Sequence, residues 1–179
     1  MKPLETLAAF DHYLAARALR LEGVVIGGTA LNLLGIVSRT TRDCDLLLPP
    51  LSAAVVEAAR AFAAERRGQD EALADDWLNN GPAALVGQLP KGWESRLQLV
   101  FSGQALELQC LGRQELLFSK LFALCDRSID LGDCLALAPS AEELRTQLPL
   151  LEPQDENPEW PAHVRATLAD LARRLGHVL

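Results

Sequence analysis

Two short apolar runs, each stopped by residues that a regular strand does not absorb, constrain the fold of this chain more than any other feature. Val24-Val25-Ile26 is rich in β-branched side chains and ends at Gly27-Gly28, which predicts a buried strand running into a tight turn. Asp43-Cys44-Asp45-Leu46-Leu47-Leu48 predicts a second strand with a charged entrance, halted by Pro49-Pro50. Between them, residues 29–34 read as a short helix closed by Gly35, and residues 38–42 as a polar stretch too basic to bury.

The remaining segments follow from periodicity. Leu4, Leu7, Ala8, Phe10, Leu14, Ala18 and Leu21 recur at helical spacing behind Pro3, so residues 3–21 predict an opening amphipathic helix broken by Gly23. Ser52 caps a predicted helix over 52–67, with Val55, Ala58, Ala59 and Phe62 on one face, and Gly68 ends it. Residues 75–82 combine turn formers with Trp77 and predict an ordered loop near the site. Residues 96–101 and 105–110 largely alternate around Ser102-Gly103-Gln104, as an antiparallel hairpin does. Helices are expected over 113–126, from the capping box at Ser140 to about 148, and over 159–178, with an acidic, proline-bearing linker at 152–158. The order α-β-α-β-α-β-β-α-α-α implies an α+β fold: a small mixed sheet flanked by helices, with a helical C-terminal portion. We expect a core over residues 1–137 and a helical extension over 138–179.

Composition narrows the function classes. Of 179 residues, 49% are hydrophobic and 23% charged, enough apolar content for a packed core and outside the disordered range. No apolar stretch approaches the roughly 20 residues of a bilayer span, and the first residues lack the apolar centre of a secretory signal, so a cytoplasmic protein is expected. Seventeen Lys and Arg against 24 Asp and Glu give a net charge of −7. A polyanion must therefore be held by a local patch rather than a global field. Cys44, Cys110, Cys125 and Cys134 form no C-x-x-C pair and the three histidines form no zinc-like cluster, which predicts reduced, mostly buried thiols.

The chemistry concentrates at Gly27-Gly28-Thr29 and Asp43-Cys44-Asp45. Residues i and i+2 of a strand share a face with Cα atoms about 6.6 Å apart, so both carboxylates project to one side and Cys44 to the other. Such neighbours repel unless a cation lies between them, and Mg²⁺ (or Mn²⁺) shared with substrate phosphates is the ordinary solution. The paired glycines let backbone N–H groups approach a phosphate, with Thr29 as a hydroxyl donor and the helix N-terminus adding partial positive charge. Neither a P-loop nor a dinucleotide fingerprint is present.

With these motifs the chain resembles the DNA polymerase β-type nucleotidyltransferase superfamily, whose mark is Gly-Gly or Gly-Ser, a short helix, then Asp-x-Asp on a strand. Lys120-Leu121-Phe122-Ala123 ahead of Arg127, Asp130 and Asp133 is similar to the lysine, arginine and D-x-x-D helix of the AbiEii-type toxins and related minimal nucleotidyltransferases. Trp77-Leu78-Asn79 also looks like a loop found in that branch. The resemblance implies that Gly27, Gly28 and Thr29 bind the phosphates of an NTP substrate and that Asp43 and Asp45 ligate the metal. Arg39, Arg42, Lys120 and Arg127 are the implied phosphate contacts, and Glu107 the third carboxylate, as catalytic base and metal ligand. The implied reaction transfers a nucleoside monophosphate to a hydroxyl of a tRNA, a protein or a small molecule. The alternative is an inactive nucleotidyltransferase fold that binds another chain, such as the antitoxin of a toxin–antitoxin pair. A tRNA acceptor would require a basic patch near Arg39, Arg42, Arg113, Lys120 and Arg127. Bland roles stand beside these: core packing for Cys44 and the tryptophans, a water-seeking ammonium for Lys120, and surface ion pairing of Arg127 with Asp130 and Asp133.

Overall fold

The computed structural model describes residues 1–67 and 73–179; Gly68, the expected stop of the third helix, lies outside the described residues. The chain forms two compact units, Met1–Gly87 with Glu94–Leu111, and Gln88–Trp93 with Gly112–Leu179.

The first unit runs α1 (Pro3–Ala15), β1 (Leu21–Ile26), α2 (Gly27–Leu33), β2 (Cys44–Leu48), α3 (Ala53–Arg67), β3 (Leu78–Asn79), β4 (Gln98–Ser102) and β5 (Leu106–Cys110). Its five strands form one mixed sheet in the order β3-β2-β1-β5-β4. β1 pairs antiparallel with β2 and parallel with β5; β2 and β3 are parallel, and β4 and β5 make the expected hairpin. The fold is the predicted α+β class. Leu7, Phe10 and Leu14 of α1 and Phe62 of α3 are buried together with Trp77, whose ring centroid lies 5.1 Å from Phe10 and 5.8 Å from Phe62. Trp77 is a core anchor, fully buried, with its indole N–H donating to the Ala59 carbonyl at 3.0 Å.

Several boundaries differ from the sequence expectation, each for a local reason. α1 stops at Ala15 and Ala18 takes a left-handed conformation, so Leu21 and Gly23 belong to β1 rather than to a helix end. Gly23 is needed there because a Cβ would come within 2.9 Å of the Leu48 carbonyl on β2. The β4–β5 turn is closed by Asp11 of α1, a residue with no expected role. Its carboxylate accepts from the backbone N–H groups of Gln104, Ala105 and Leu106 at 3.1, 2.8 and 2.8 Å. Burial pushes this carboxyl up, yet the three backbone donors outweigh it and its pKa is lowered.

The second unit is helical: α4 (Arg113–Arg127), α5 (Leu131–Leu137), α6 (Ala141–Leu151) and α7 (Trp160–Arg174). The capping box at Ser140 forms as expected, with its hydroxyl accepting from Glu143 N at 3.1 Å and the Glu143 carboxylate accepting from Ser140 N at 2.8 Å. α4 and α5, which the sequence reading groups with the residue 1–137 core, pack with α6 and α7 in this unit. Trp160 is buried here and donates from its indole nitrogen to the Leu151 carbonyl at 2.9 Å. Among the described residues no helix is long and apolar enough to cross a membrane.

Candidate active site

The β1–α2 junction is a glycine turn for two separable reasons. Gly27 has φ +70°, a left-handed conformation that disfavours any side chain, and a Cβ on it would lie 3.2 Å from Oδ2 of Asp45. A Cβ on Gly28 would meet Cγ2 of Thr41 at 2.9 Å and the Arg39 guanidinium at 3.5 Å. The fold therefore packs the Asp45 carboxylate against the first glycine and Arg39 against the second. At seven residues α2 is under two turns, so Arg39, rather than a helix dipole, is the main positive group at the turn.

The loop that carries Arg39 is stitched to α2. Asn32 donates from Nδ2 to the carbonyls of Val37 and Arg39 at 3.2 and 3.1 Å. Thr29 is 1% exposed, and its hydroxyl donates to the Asp43 carbonyl at 2.7 Å, with Thr41 Oγ1 at 3.3 Å. The hydroxyl expected to meet a phosphate is thus spent on holding the aspartate strand to the glycine turn. Asn32 was not singled out from sequence, although a lone amide in a short apolar helix is the kind of residue that satisfies a neighbouring loop.

Asp43 stands just before β2 and Asp45 within it, both half-buried, while Cys44 between them is fully buried. That burial pattern is what alternation about a strand produces when both acids share the open side. Burial, helped by the neighbouring charges of Asp45 and Asp43, pushes the Cys44 thiol pKa up, so the residue is an inert part of the core. Asp45 pairs with Ile26 on β1 and with Asn79 on β3, which sets it at the mouth of the glycine turn. Arg42 is exposed beside the pair.

Other expected site residues are placed elsewhere. Glu107 pairs with Glu22 on β1, four residues from Ile26, the partner of Asp45. It shares a face with Asp45 but lies about 13 Å down the strands, too far to share a cation with it. At the level of Asp45, β5 offers the fully buried Cys110 and Leu111 instead of an acid. Among the described residues no three Asp, Glu, His or Cys side chains come together as a metal cluster. In the second unit Lys120 is only 6% exposed and its ammonium pairs with Asp130 at 3.1 Å and Asp133 at 2.8 Å. This corrects two expectations, since Lys120 does not reach for water and it is Lys120, not Arg127, that binds the D-x-x-D acids. Arg127 lies 3.5 Å from Asp126.

Residues 2–136 match a family described as a nucleotidyltransferase of unknown function (DUF6036). The chain belongs to this family. The matched span takes in the glycine turn, the Asp43–Asp45 strand and the Lys120, Asp130 and Asp133 cluster. Curated proteins and solved structures yield no match to it.

Proposed function

We propose that this protein moves a nucleoside monophosphate from an NTP to a hydroxyl acceptor, with Mg²⁺ or Mn²⁺ held by Asp43 and Asp45. The observation that carries the reading is the contact of the Asp45 carboxylate with Gly27 while Arg39 packs on Gly28. A carboxylate and a guanidinium packed on successive glycines of one turn suit a metal–triphosphate complex better than either ligand alone. The donor set fits the metal: two hard carboxylates are what Mg²⁺ commonly takes from protein, with phosphates and water supplying the remainder. When bound, the ion would neutralise charge building on the phosphates as the bond to pyrophosphate breaks.

The chain's own groups bind and orient. Gly27 and Gly28 present backbone at the turn, and Arg39 and Arg42 draw the polyphosphate by charge. Thr29 and Asn32 keep turn and loop in register. In the transfer, the acceptor oxygen bonds to the α-phosphorus, pyrophosphate leaves with the electrons of the broken bond, and the hydroxyl proton passes to a carboxylate of the pair or to water. Glu107 has no part in this scheme, given its register. Lys120 and Arg127 enter only through the D-x-x-D constellation that supports placing the protein near the AbiEii branch.

Calorimetry of NTP binding tests the proposal: the Asp43→Ala, Asp45→Ala double variant should lose Mg²⁺-dependent binding. An unchanged affinity in the folded double variant contradicts it. The second reading, an inactive fold serving as one half of a toxin–antitoxin pair, draws on the distant Glu107 and the ion-paired Lys120. Absence of labelled product from all four NTPs with cellular RNA and protein would favour it over catalysis.

A further inference from the structure

The outer edge of the aspartate strand is held by a segment that the proposed mechanism leaves unused. β3 is only two residues long, with Leu78 opposite Cys44 and Asn79 opposite Asp45. So short a strand supplies few main-chain rungs, and beyond it a side chain takes over. Asn80 donates from Nδ2 to the carbonyls of Leu46 and Pro49 at 3.0 Å each, and its Oδ1 accepts from Leu51 N at 2.7 Å. One planar amide thus satisfies three main-chain groups on residues 46–51, starting immediately after Asp45.

The near end of the segment is equally fixed. Cys44 N donates to the Trp77 carbonyl at 2.5 Å, and Trp77 is itself fastened to α3 through Ala59. β2 is therefore clamped before Asp45 by the Trp77 main chain and after it by the Asn80 side chain. Asn79 is committed to its own loop, since its Oδ1 accepts from Gly81 N at 2.7 Å and its Nδ2 donates to the Asp76 carbonyl at 3.3 Å.

We propose that Asn80 is a positioning residue for the carboxylate pair, fixing where Asp45, and through it Asp43, stands for a divalent cation and its triphosphate. This rests on the nucleotide reading of the site. Asparagine suits the position because it carries donors and an acceptor in one rigid group. Aspartate would set a carboxylate against two carbonyl oxygens, and alanine would leave all three main-chain groups without their partner. Partners hydrogen-bonded to metal ligands typically change metal affinity about 10- to 100-fold; Asn80 acts one step further out, through the Leu46, Pro49 and Leu51 main chain, so the low end of that range is expected.

The test compares wild type with Asn80→Ala and the milder Asn80→Ser, measuring ATP binding by calorimetry in Mg²⁺ and in EDTA, with thermal unfolding alongside. We expect the Mg²⁺-dependent gain in ATP affinity to fall about 10-fold in Asn80→Ala and by less in Asn80→Ser. Affinity in EDTA, which reads the glycine turn and Arg39, should stay within about 2-fold, with the serine variant folded at the assay temperature. A folded variant that keeps the full Mg²⁺-dependent gain overturns the positioning role. So does a parallel loss in Mg²⁺ and EDTA, which marks general unravelling of the site. Wild type binding ATP equally in Mg²⁺ and EDTA would overturn the nucleotide reading itself, and this inference with it.

Discussion

Lys120 sits at the centre of α4 with almost no access to water and gives its charge to Asp130 and Asp133, the latter 3% exposed. A buried ion pair is weak evidence of net stabilisation, but removing one partner leaves the other charge in a poor solvent. Lys120→Ala should therefore cost about 3–5 kcal/mol in denaturant unfolding. A change within about 0.5 kcal/mol, the usual size for a surface site, would show that the pair is not buried in solution. This pairing was only half legible in sequence. The K and D-x-x-D residues stood out, but their spacing also suited Arg127, and only the turn between α4 and α5 decides the partner. Ser128 and Asp130 both adopt left-handed conformations there, uncommon for any non-glycine residue though less so for aspartate, and not something sequence spacing foretells. The strand ending in a glycine turn and the strand carrying the two aspartates were more legible, because an Asp-x-Asp that is commonplace alone gains meaning beside an apolar strand and paired glycines at that separation. The distance of Glu107 from the aspartates was not legible, because alternation cannot reveal it. Period two gives the face of a residue, whereas its level along the sheet depends on the β1–β5 register set at Leu21 and Leu106.

At the scale of elements, β1, β2 and the β4–β5 hairpin were readable as apolar runs between breakers, and the Ser140 capping box announced α6. β3 was not, since two residues carry no periodic signal and are held by Trp77 and Asn80 rather than by propensity. α5 was hidden inside what reads as a motif. The capping box also joins α6 to α4, because Arg113 donates to both oxygens of Glu143, at 2.5 and 3.1 Å, and to the Leu137 carbonyl at 3.0 Å. The Arg113 bond, with the Ser140 backbone and hydroxyl contacts, draws the Glu143 carboxyl from 4.5 down to about 2. A folded-state pKa below the unfolded value adds stability that is complete above the unfolded pKa and drains away as pH falls through the folded one. The melting temperature of wild type should therefore exceed that of Glu143→Gln at pH 6, with the gap closing between about pH 4.5 and 2. Because the pair is largely solvent-exposed, the gap should be modest. A gap that widens as the solution is acidified would contradict the assignment.

For the molecule as a whole, charge limits the acceptor. With a net charge of −7, attraction of a nucleic acid depends on local arginines, and three of the five cations considered for that patch, Arg113, Lys120 and Arg127, are paired with acids of their own unit. Arg39 packs on Gly28 at the glycine turn, and Arg42 immediately precedes Asp43 in the chain. This balance suits a compact polyphosphate, whose charge fits within one turn, more readily than a long polyanion. The division into a sheet-bearing unit and a helical one keeps the proposed phosphate and metal groups, Gly27, Gly28, Arg39, Asp43 and Asp45, within the first unit. The most direct measurement is a crystal structure of the protein soaked with a non-hydrolysable NTP and Mg²⁺. The polyphosphate should lie on Gly27-Gly28 beside Arg39, with the ion ligated by Asp43 and Asp45. Density for the nucleotide away from the glycine turn, or an ion that touches neither aspartate, would contradict it.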